Sequence, residues 1–526
     1  MTSTPNATNA SFSLNQISQA LLTVNRLFEA WYTHIRRKEV SHVAKDNQEK
    51  VEQNIVSLRQ ENTQLGTLKD AQELGLRKDL SGPLLGYVDG YCLFLSQDLH
   101  VNTCAFPGSG KTTTLTIPNI ISLAMGSKPE SVVILDVKNG ELAWLTAEGR
   151  MQLDSSEAIF INPWGLNGLP NHRLNIFSDI IDKAQRGFKV LDLAQRSVYQ
   201  RFGDPERYNS NSWIYKDAMR ICTVLMVARA QYTPELCNPA SFWDFGASTH
   251  SEFRNTLLDM ISADKDDGYI TMMAKKLLDQ YGEEKTDQWE WVMDAFLNGF
   301  SLYAMGSALR DSCKITEFDA STLKKSPRAI YLMVPDKYLD SHGSWVSDVL
   351  EYLVSKIADA SGDVRTTFML DEFVNIPVVR SMVKALRLYR SKGIRIWTFG
   401  QDRNGYNKYK DDGGYMPFEE SSVSLAWGVT GAHARELSEK AGKRAVLIGT
   451  PNNSAGVSAD TGGHSASEVL VPNLPISQIS QNFSGTAILD SKSKIFVVER
   501  KPYWEIPWIR DYVRNPKDFP QPHFED

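Results

Sequence analysis

The sequence predicts an α/β protein whose mostly parallel, helix-covered sheet is interrupted by a long helical insertion, and three observations predict it. Residues 101–119, VNTCAFPGSGKTTTLTIPN, run from an apolar segment through PGSGKTT into the start of a helix, which is the setting of a phosphate-binding loop. Short apolar runs then alternate with helical stretches, as parallel strands joined by helices do. Between about 179 and 316 the strand signal disappears, and segments 213–231, 251–262, 272–281 and 289–309 show helical spacing instead.

The loop at 107–113 is the chemical centre. Pro107, Gly108, Ser109 and Gly110 let the backbone turn so that successive N–H groups point inward. Lys111 is placed to reach the β/γ-phosphates of a nucleotide, and the Thr112 hydroxyl to ligate Mg²⁺, with Thr113 continuing the cradle. The following helix brings its positive dipole end to the same point. Ala105 stands where the usual G-x-x-x-x-G-K-[ST] pattern has its first glycine, while the Gly108 to Thr112 core is intact.

A chain of 526 residues should hold more than one core. Its 23% charged and 42% hydrophobic residues are those of a soluble globular protein. A net charge of -6 argues against a globally basic nucleic-acid binder and leaves a local basic groove open. The five cysteines are scattered without C-x-x-C spacing, as reduced core residues of a cytosolic protein are. No apolar run reaches the length of a membrane span, and the N-terminus lacks the form of a secretory signal.

In chain order, residues 1–62 read as an amphipathic helical region, with Ile17, Leu21, Val24, Phe28, Trp31 and Ile35 on one stripe and Val51, Ile55, Leu58 and Leu65 on a second. His34, Arg36, Arg37 and Lys38 form a small basic cluster, read as a solvated helix end. Residues 63–178 and 317–515 are assigned to the nucleotide-binding domain, 179–316 to the inserted all-α domain and 516–526 to a tail. Strands are expected at 91–95, 101–105, 132–137, 158–161, 329–334, 367–370, 394–399, 423–429, 486–489 and 495–498. The insertion's aromatics, Trp213, Trp243, Trp289, Trp291, Phe296 and Phe300, are read as core rather than as stacking platforms, because basic residues do not interleave with them. Residues 449–463, GTPNNSAGVSADTGG, read as a mobile loop.

A phosphate loop needs an acid-ended strand to organise its metal, and 366–372, TTFMLDE, supplies one. Asp371 is expected beside the loop, holding Mg²⁺ through water, and Glu372 polarises the attacking water. The next strand ends in Gly400-Gln401, which places Gln401 as a γ-phosphate or water sensor. Arg390 and Arg395 precede that strand and are candidates for a finger reaching a neighbouring subunit's nucleotide.

Taken together, these residues resemble the type IV secretion coupling proteins, the TraG/TraD-like ATPases of conjugation and effector export. The resemblance runs over most of 64–515 and includes LDVKNGELAWLTAEGR, INPWGLNGLPNHRLNIFSDI, SPRAIYLMVPDKYL, MLDEFVNIPVVRSMVKALRLYRSKGIRIWTFGQD, KAGKRAV and ERKPYWEIPWI. It implies a RecA-like P-loop NTPase with an inserted all-α domain, ATP and Mg²⁺ as cofactors, hexamers with nucleotide between subunits, and Arg390 acting in trans. Most members carry N-terminal membrane helices. Residues 1–62 are amphipathic instead, so recruitment from the cytoplasm to the inner membrane through a separate membrane subunit is expected.

The function expected is an ATP-driven motor that recruits DNA, a DNA–relaxase complex or effector proteins to a type IV secretion channel. The alternatives are a nucleotide-gated docking platform with little turnover and a related hexameric DNA translocase. Glu372 favours the motor, since a platform has no need of a water-polarising carboxylate.

Overall fold

The computed structural model describes residues 65–76, 81–264, 268–282, 286–451, 464–481 and 485–520. The stripes and basic cluster expected in the N-terminal region lie outside them, except Leu65, which is in no helix and packs on a small apolar cluster with Leu437 and Ile488. By compactness the chain divides into one unit containing Leu65–Ala441 and Leu474–Asp526, and a second that includes Gly442–Asn473.

The strands in chain order are β1 (Leu84–Val88), β2 (Tyr91–Phe94), β3 (His100–Ala105), β4 (Ser131–Asp136), β5 (Ile159–Ile161), β6 (Ala329–Met333) and β7 (Thr366–Leu370). They continue with β8 (Ile394–Gly400), β9 (Ser422–Trp427), β10 (Lys443–Pro451), β11 (His464–Pro472), β12 (Thr486–Asp490) and β13 (Ile495–Glu499). An 11-stranded sheet has the order β2-β1-β13-β12-β9-β3-β8-β7-β4-β6-β5. From β9 to β5 every neighbouring pair is parallel. β12, β13, β1 and β2 extend the sheet antiparallel beyond β9.

The parallel strands are buried on both faces, which is why β4, β5 and β6 are nearly unbroken apolar runs. In β4 the two-residue period sends Val133 and Leu135 into one core and Val132 and Ile134 into another. The second core is covered by the helices Ile117–Met125 and Glu141–Asp154. The C-terminal turns pack onto the latter: a Cβ on Gly149 would stand 2.0 Å from the Tyr512 carbonyl oxygen, so only glycine admits this approach.

The first core merges with the helices between β5 and β6, so the helical insertion and one face of the sheet share a single apolar cluster. Among the described residues this insertion contains no strand. Its helices begin where short polar side chains close the first turn: Asn238 accepts from Ser241 N at 3.0 Å, Thr286 from Trp289 N at 3.2 Å, and Thr249 with Glu252 forms a reciprocal capping box. The helix expected over 289–309 ends at Gly299 (Asp287–Gly299), and a turn and a short helix, Ala308–Ser312, complete the segment. Trp289, Phe296 and Phe300 are core residues, whereas Trp291 is exposed with its ring edge-on to Trp213.

β1 and the β10–β11 pair have no counterpart among the expected strands. β10 and β11 form an antiparallel ribbon whose last rungs are Gly449 with Ala466, Thr450 with Ser465 and Pro451 with His464. Residues 449–451 of the segment expected as a loop therefore belong to β10, and 452–463 lie outside the described residues. The ribbon has short apolar runs at 445–448 and 469–471, but its outer rungs pair polar, glycine-containing residues, which a backbone ladder accepts as readily as apolar ones.

Candidate active site

Because β9 to β5 run parallel, the turns after β3, β4, β7 and β8 open at one edge of the sheet, where an open α/β sheet binds its ligand. β8 lies between β3 and β7, so Asp371 faces the loop across one strand rather than from the adjacent one. β3 carries buried polar groups that the neighbouring elements satisfy. Asn102 Oδ1 accepts from Thr398 Oγ1 and Tyr406 OH, both at 3.1 Å, and Trp397 Nε1 donates to Thr103 Oγ1 at 2.9 Å.

After β3 the chain turns through Pro107 to Gly110. Gly108 (φ 69°) and Gly110 (φ 85°) are left-handed, which a side chain would resist. A Cβ on Gly108 would meet nothing within 4 Å, so the cradle is open on that side. Ser109 Oγ donates to Phe106 O, and Thr113 Oγ1 donates to Gly110 O at 3.3 Å. Residues Thr112–Thr116 form a π-helical turn before the α-helix Ile117–Met125, a widening that recurs at functional sites.

Lys111 is 7% exposed, and its ammonium donates to the carbonyl oxygens of Ala105 at 3.0 Å and Phe106 at 3.5 Å. Burial holds it below the usual lysine value, opposed by the nearby Glu372 and Asp371 carboxylates. A buried lysine capped only by neutral carbonyls is poised for a stronger anion.

Asp371 is 1% exposed and follows β7 directly. Its Oδ1 accepts from Glu372 N at 3.1 Å, and its Oδ2 is buried without a hydrogen bond among the described residues. Lys138 spans the gap between the two metal candidates: its Nζ donates to Thr112 Oγ1 at 2.8 Å and stands 3.6 Å from Asp371 Oδ2. The turn bearing Lys138 is organised by Asp136, whose carboxylate accepts from Ala143 N at 2.8 Å and Lys138 N at 3.4 Å. Burial pushes that carboxyl up to about 7 despite these donors.

Glu372 has a left-handed backbone (φ 49°), uncommon for a residue with a side chain and of the kind that collects at active sites. Its carboxylate accepts from Asn375 Nδ2 at 3.2 Å and Gln401 Nε2 at 3.3 Å. Gln401 itself is exposed. Thus Lys111, Thr112, Asp371, Glu372 and Gln401, spread over almost 300 residues of chain, meet at one edge with Lys138 among them.

The two arginines fall elsewhere. Arg395 is the second residue of β8, 2% exposed, with Nη1 at 2.7 Å from both Glu130 carboxylate oxygens and Nε donating to Leu99 O at 3.1 Å. Its guanidinium is engaged inside the fold, so it is a structural ion pair and not a finger. Arg390 is exposed in the turn before β8. The length of that strand separates it from its own chain's loop by about 20 Å.

The sequence reading gave no role to Lys138 or Asn375, although both stand within quoted motifs. The usable signal was position: each closely follows the end of a parallel strand. Arg500, within ERKPYWEIPWI and directly after β13, and Trp427, at the end of β9, also border the loop.

An 11-stranded, mostly parallel sheet with a phosphate loop after one strand and an acidic pair after another is a RecA-like P-loop fold carrying an all-α insertion. Residues 45–470 match the family described as type IV secretory system conjugative DNA transfer, and the chain belongs to that family. Comparison with curated protein sequences gives no match. Among solved structures the fold is similar to the unbound bacterial conjugative coupling protein TrwBdeltaN70 (TM-score 0.58, 12% identity, covering 84% of this chain and 92% of that one). It is likewise similar to the plasmid coupling protein TrwB in complex with the ATP analogue ADPNP (TM-score 0.56, 12% identity, 84% and 93%) and with ADP and Mg²⁺ (TM-score 0.57, 12% identity, 84% and 93%). Among the described residues no helix is long and apolar enough to cross a membrane.

Proposed function

We propose that this chain is an ATP-hydrolysing coupling protein that recruits DNA, a nucleoprotein or effector proteins to a type IV secretion channel and drives their transfer. The observation that carries the reading is the convergence of Lys111, Thr112, Asp371, Glu372 and Gln401 at one sheet edge. TrwB, of the same fold, has been solved with an ATP analogue and with ADP and Mg²⁺. Pro107 to Thr113 would cradle the phosphates, with the Lys111 ammonium leaving its carbonyl caps for the β/γ-phosphates.

The residues present fit Mg²⁺. Asp371 offers a buried oxygen without a hydrogen bond and Thr112 a hydroxyl already facing a cation, and such oxygen donors are what magnesium takes beside phosphates. Thr112 and Asp371 would hold the ion, which when bound supplies charge neutralisation at the β/γ-phosphates. Glu372, aimed by Asn375 and Gln401, would take the proton of the attacking water, and Gln401 would sense the γ-phosphate through the same contact.

The working form in this reading is a homo-oligomer, a hexamer, with nucleotide between subunits and Arg390 completing a neighbour's site. Residues 63–178 and 317–515 act as the nucleotide-binding part and 179–316 as the inserted all-α part. Residues 1–62 link the protein to a membrane subunit at the cytoplasmic face of the inner membrane. The test is ATPase activity with and without single- and double-stranded DNA. Turnover that DNA stimulates supports DNA transfer, turnover indifferent to DNA points to protein substrates, and ATP binding without turnover would replace the motor by a docking platform.

Lys138 supplies a second check. Its ammonium stands against the Asp371 carboxylate, so Lys138→Met should lower the thermal midpoint of the nucleotide-free protein by only ~2 °C, because the lysine is partly solvated. The same variant should gain more in midpoint than wild type when Mg²⁺ and ADP are added together, since the displaced ammonium no longer competes. Equal gains would show that Lys138 does not stand in the cation's place.

A further inference from the structure

Arg500 follows β13 and is 4% exposed. Because β12 is antiparallel to β9 and β13 antiparallel to β12, β13 runs with β3, and its C-terminal end opens at the phosphate-loop edge. The guanidinium lies over the Trp427 ring, 4.0 Å from its centroid. Its Nη1 donates to Ser109 O at 3.1 Å and to Thr114 Oγ1 at 3.0 Å, and its Nε donates to Thr486 O at 3.1 Å. Trp427 Nε1 donates to the same Ser109 oxygen at 3.2 Å, and Thr114 Oγ1 donates onward to Gly110 O at 2.7 Å.

These contacts act on two successive peptide units of the loop. In a trans peptide the carbonyl and the following N–H point in opposite directions. Two donors that hold Ser109 O toward the fold therefore turn the Gly110 N–H toward the cradle. Thr114, which accepts from Arg500 and donates to Gly110 O, does the same for the Lys111 N–H. The network also brings in a charge: no carboxylate among the described residues is within ion-pair distance of Arg500, and burial alone pushes it down to about 10. A buried cation without an anion is costly, and an anionic ligand at the loop relieves that cost.

We propose that Arg500, stacked on Trp427, is a positioning residue of the phosphate cradle: with Trp427 and Thr114 it locks the Ser109 and Gly110 carbonyls outward, so that the Gly110 and Lys111 amides are presented to the nucleotide's phosphates before binding. The inference rests on the nucleotide-binding reading above and adds to it what holds the loop ready. Preorganised donors spend no binding energy on reorientation, so the consequence falls on affinity.

The experiment measures ATP and ADP affinity by calorimetry, together with KM and kcat, on the full chain and four variants. Arg500→Met keeps length and packing but removes the donors and the charge. Its affinity should fall about 10- to 100-fold, the worth of charge-assisted hydrogen bonds. KM should rise in parallel while kcat changes far less, because the amides hold the phosphates in ground and transition states alike. Arg500→Lys should recover part of the loss. Trp427→Phe deletes the indole donor to Ser109 O and Thr114→Val, at nearly constant shape, deletes both side-chain bonds of Thr114, to Arg500 and to Gly110 O; each should cost about 3- to 10-fold. Should Arg500→Met fail to fold, the last two variants decide alone. Folded variants that bind ATP as wild type does would overturn the proposal, whereas a wild-type chain that binds no ATP would refute the nucleotide reading itself.

Discussion

Replacing Glu372 by glutamine is expected to stop ATP turnover while leaving ATP bound. The substitution keeps size and a hydrogen-bonding oxygen but removes the carboxylate's capacity to accept a proton, the role that the proposed function gives Glu372. General-base contributions of this kind are typically about 10²- to 10⁴-fold in rate. Affinity should change by less than about 3-fold, because the proposed function gives the phosphate contacts to Lys111 and the loop amides. The fold should be indifferent, since glutamine tolerates the left-handed backbone at this position no worse than glutamate. Lys111→Ala should fail differently, with weakened binding as well as lost turnover, because in the proposed function its ammonium is the charge that meets the phosphates. Steady-state hydrolysis beside equilibrium binding separates the two, and a Glu372→Gln protein that turns over normally would remove Glu372 from its role.

Arg390→Ala should lower turnover by on the order of 10³, the effect of losing a finger in P-loop enzymes, and only in assembled protein. In the folded chain Arg390 is exposed at the edge of the sheet opposite the loop, so it cannot act on its own subunit's phosphates. Specific activity should therefore rise with protein concentration. Mixing Arg390→Ala with Glu372→Gln should restore part of the activity, because some interfaces then join an intact Glu372 to an intact Arg390. Hydrolysis independent of concentration, or co-assembled mixtures as inactive as the separate variants, would leave Arg390 a solvated surface charge.

The parts of this protein that were legible without a structure are those encoded locally. A phosphate loop is a backbone shape that Gly108 and Gly110 permit, followed by Lys111 and Thr112 at fixed offsets, so a dozen consecutive residues suffice to announce it. The strands β4, β5 and β6 were legible for a related reason: burial on both faces demands short apolar runs, and in TTFMLDE such a run ends in Asp371 and Glu372. β10 and β11 were not, because their apolar runs at 445–448 and 469–471 are short and their outer rungs are polar, and the helix ends at Gly299 although helical spacing continues past it.

Strand order was decided only by the tertiary structure, and it set the rest of the site. The sequence places Arg395 and Arg390 five residues apart as equivalent cations, yet one is tied to Glu130 inside the sheet and the other is solvated at its edge. Lys138 meets Thr112 and Asp371, and Arg500 meets Ser109 nearly 400 residues earlier in the chain, because pairing across the sheet puts their strand ends at one edge. Periodicity records which way each side chain faces within its own element. Which strands become neighbours, and in which direction, depends on how whole apolar faces fit together, and that information is distributed over the chain rather than written at any one position in it.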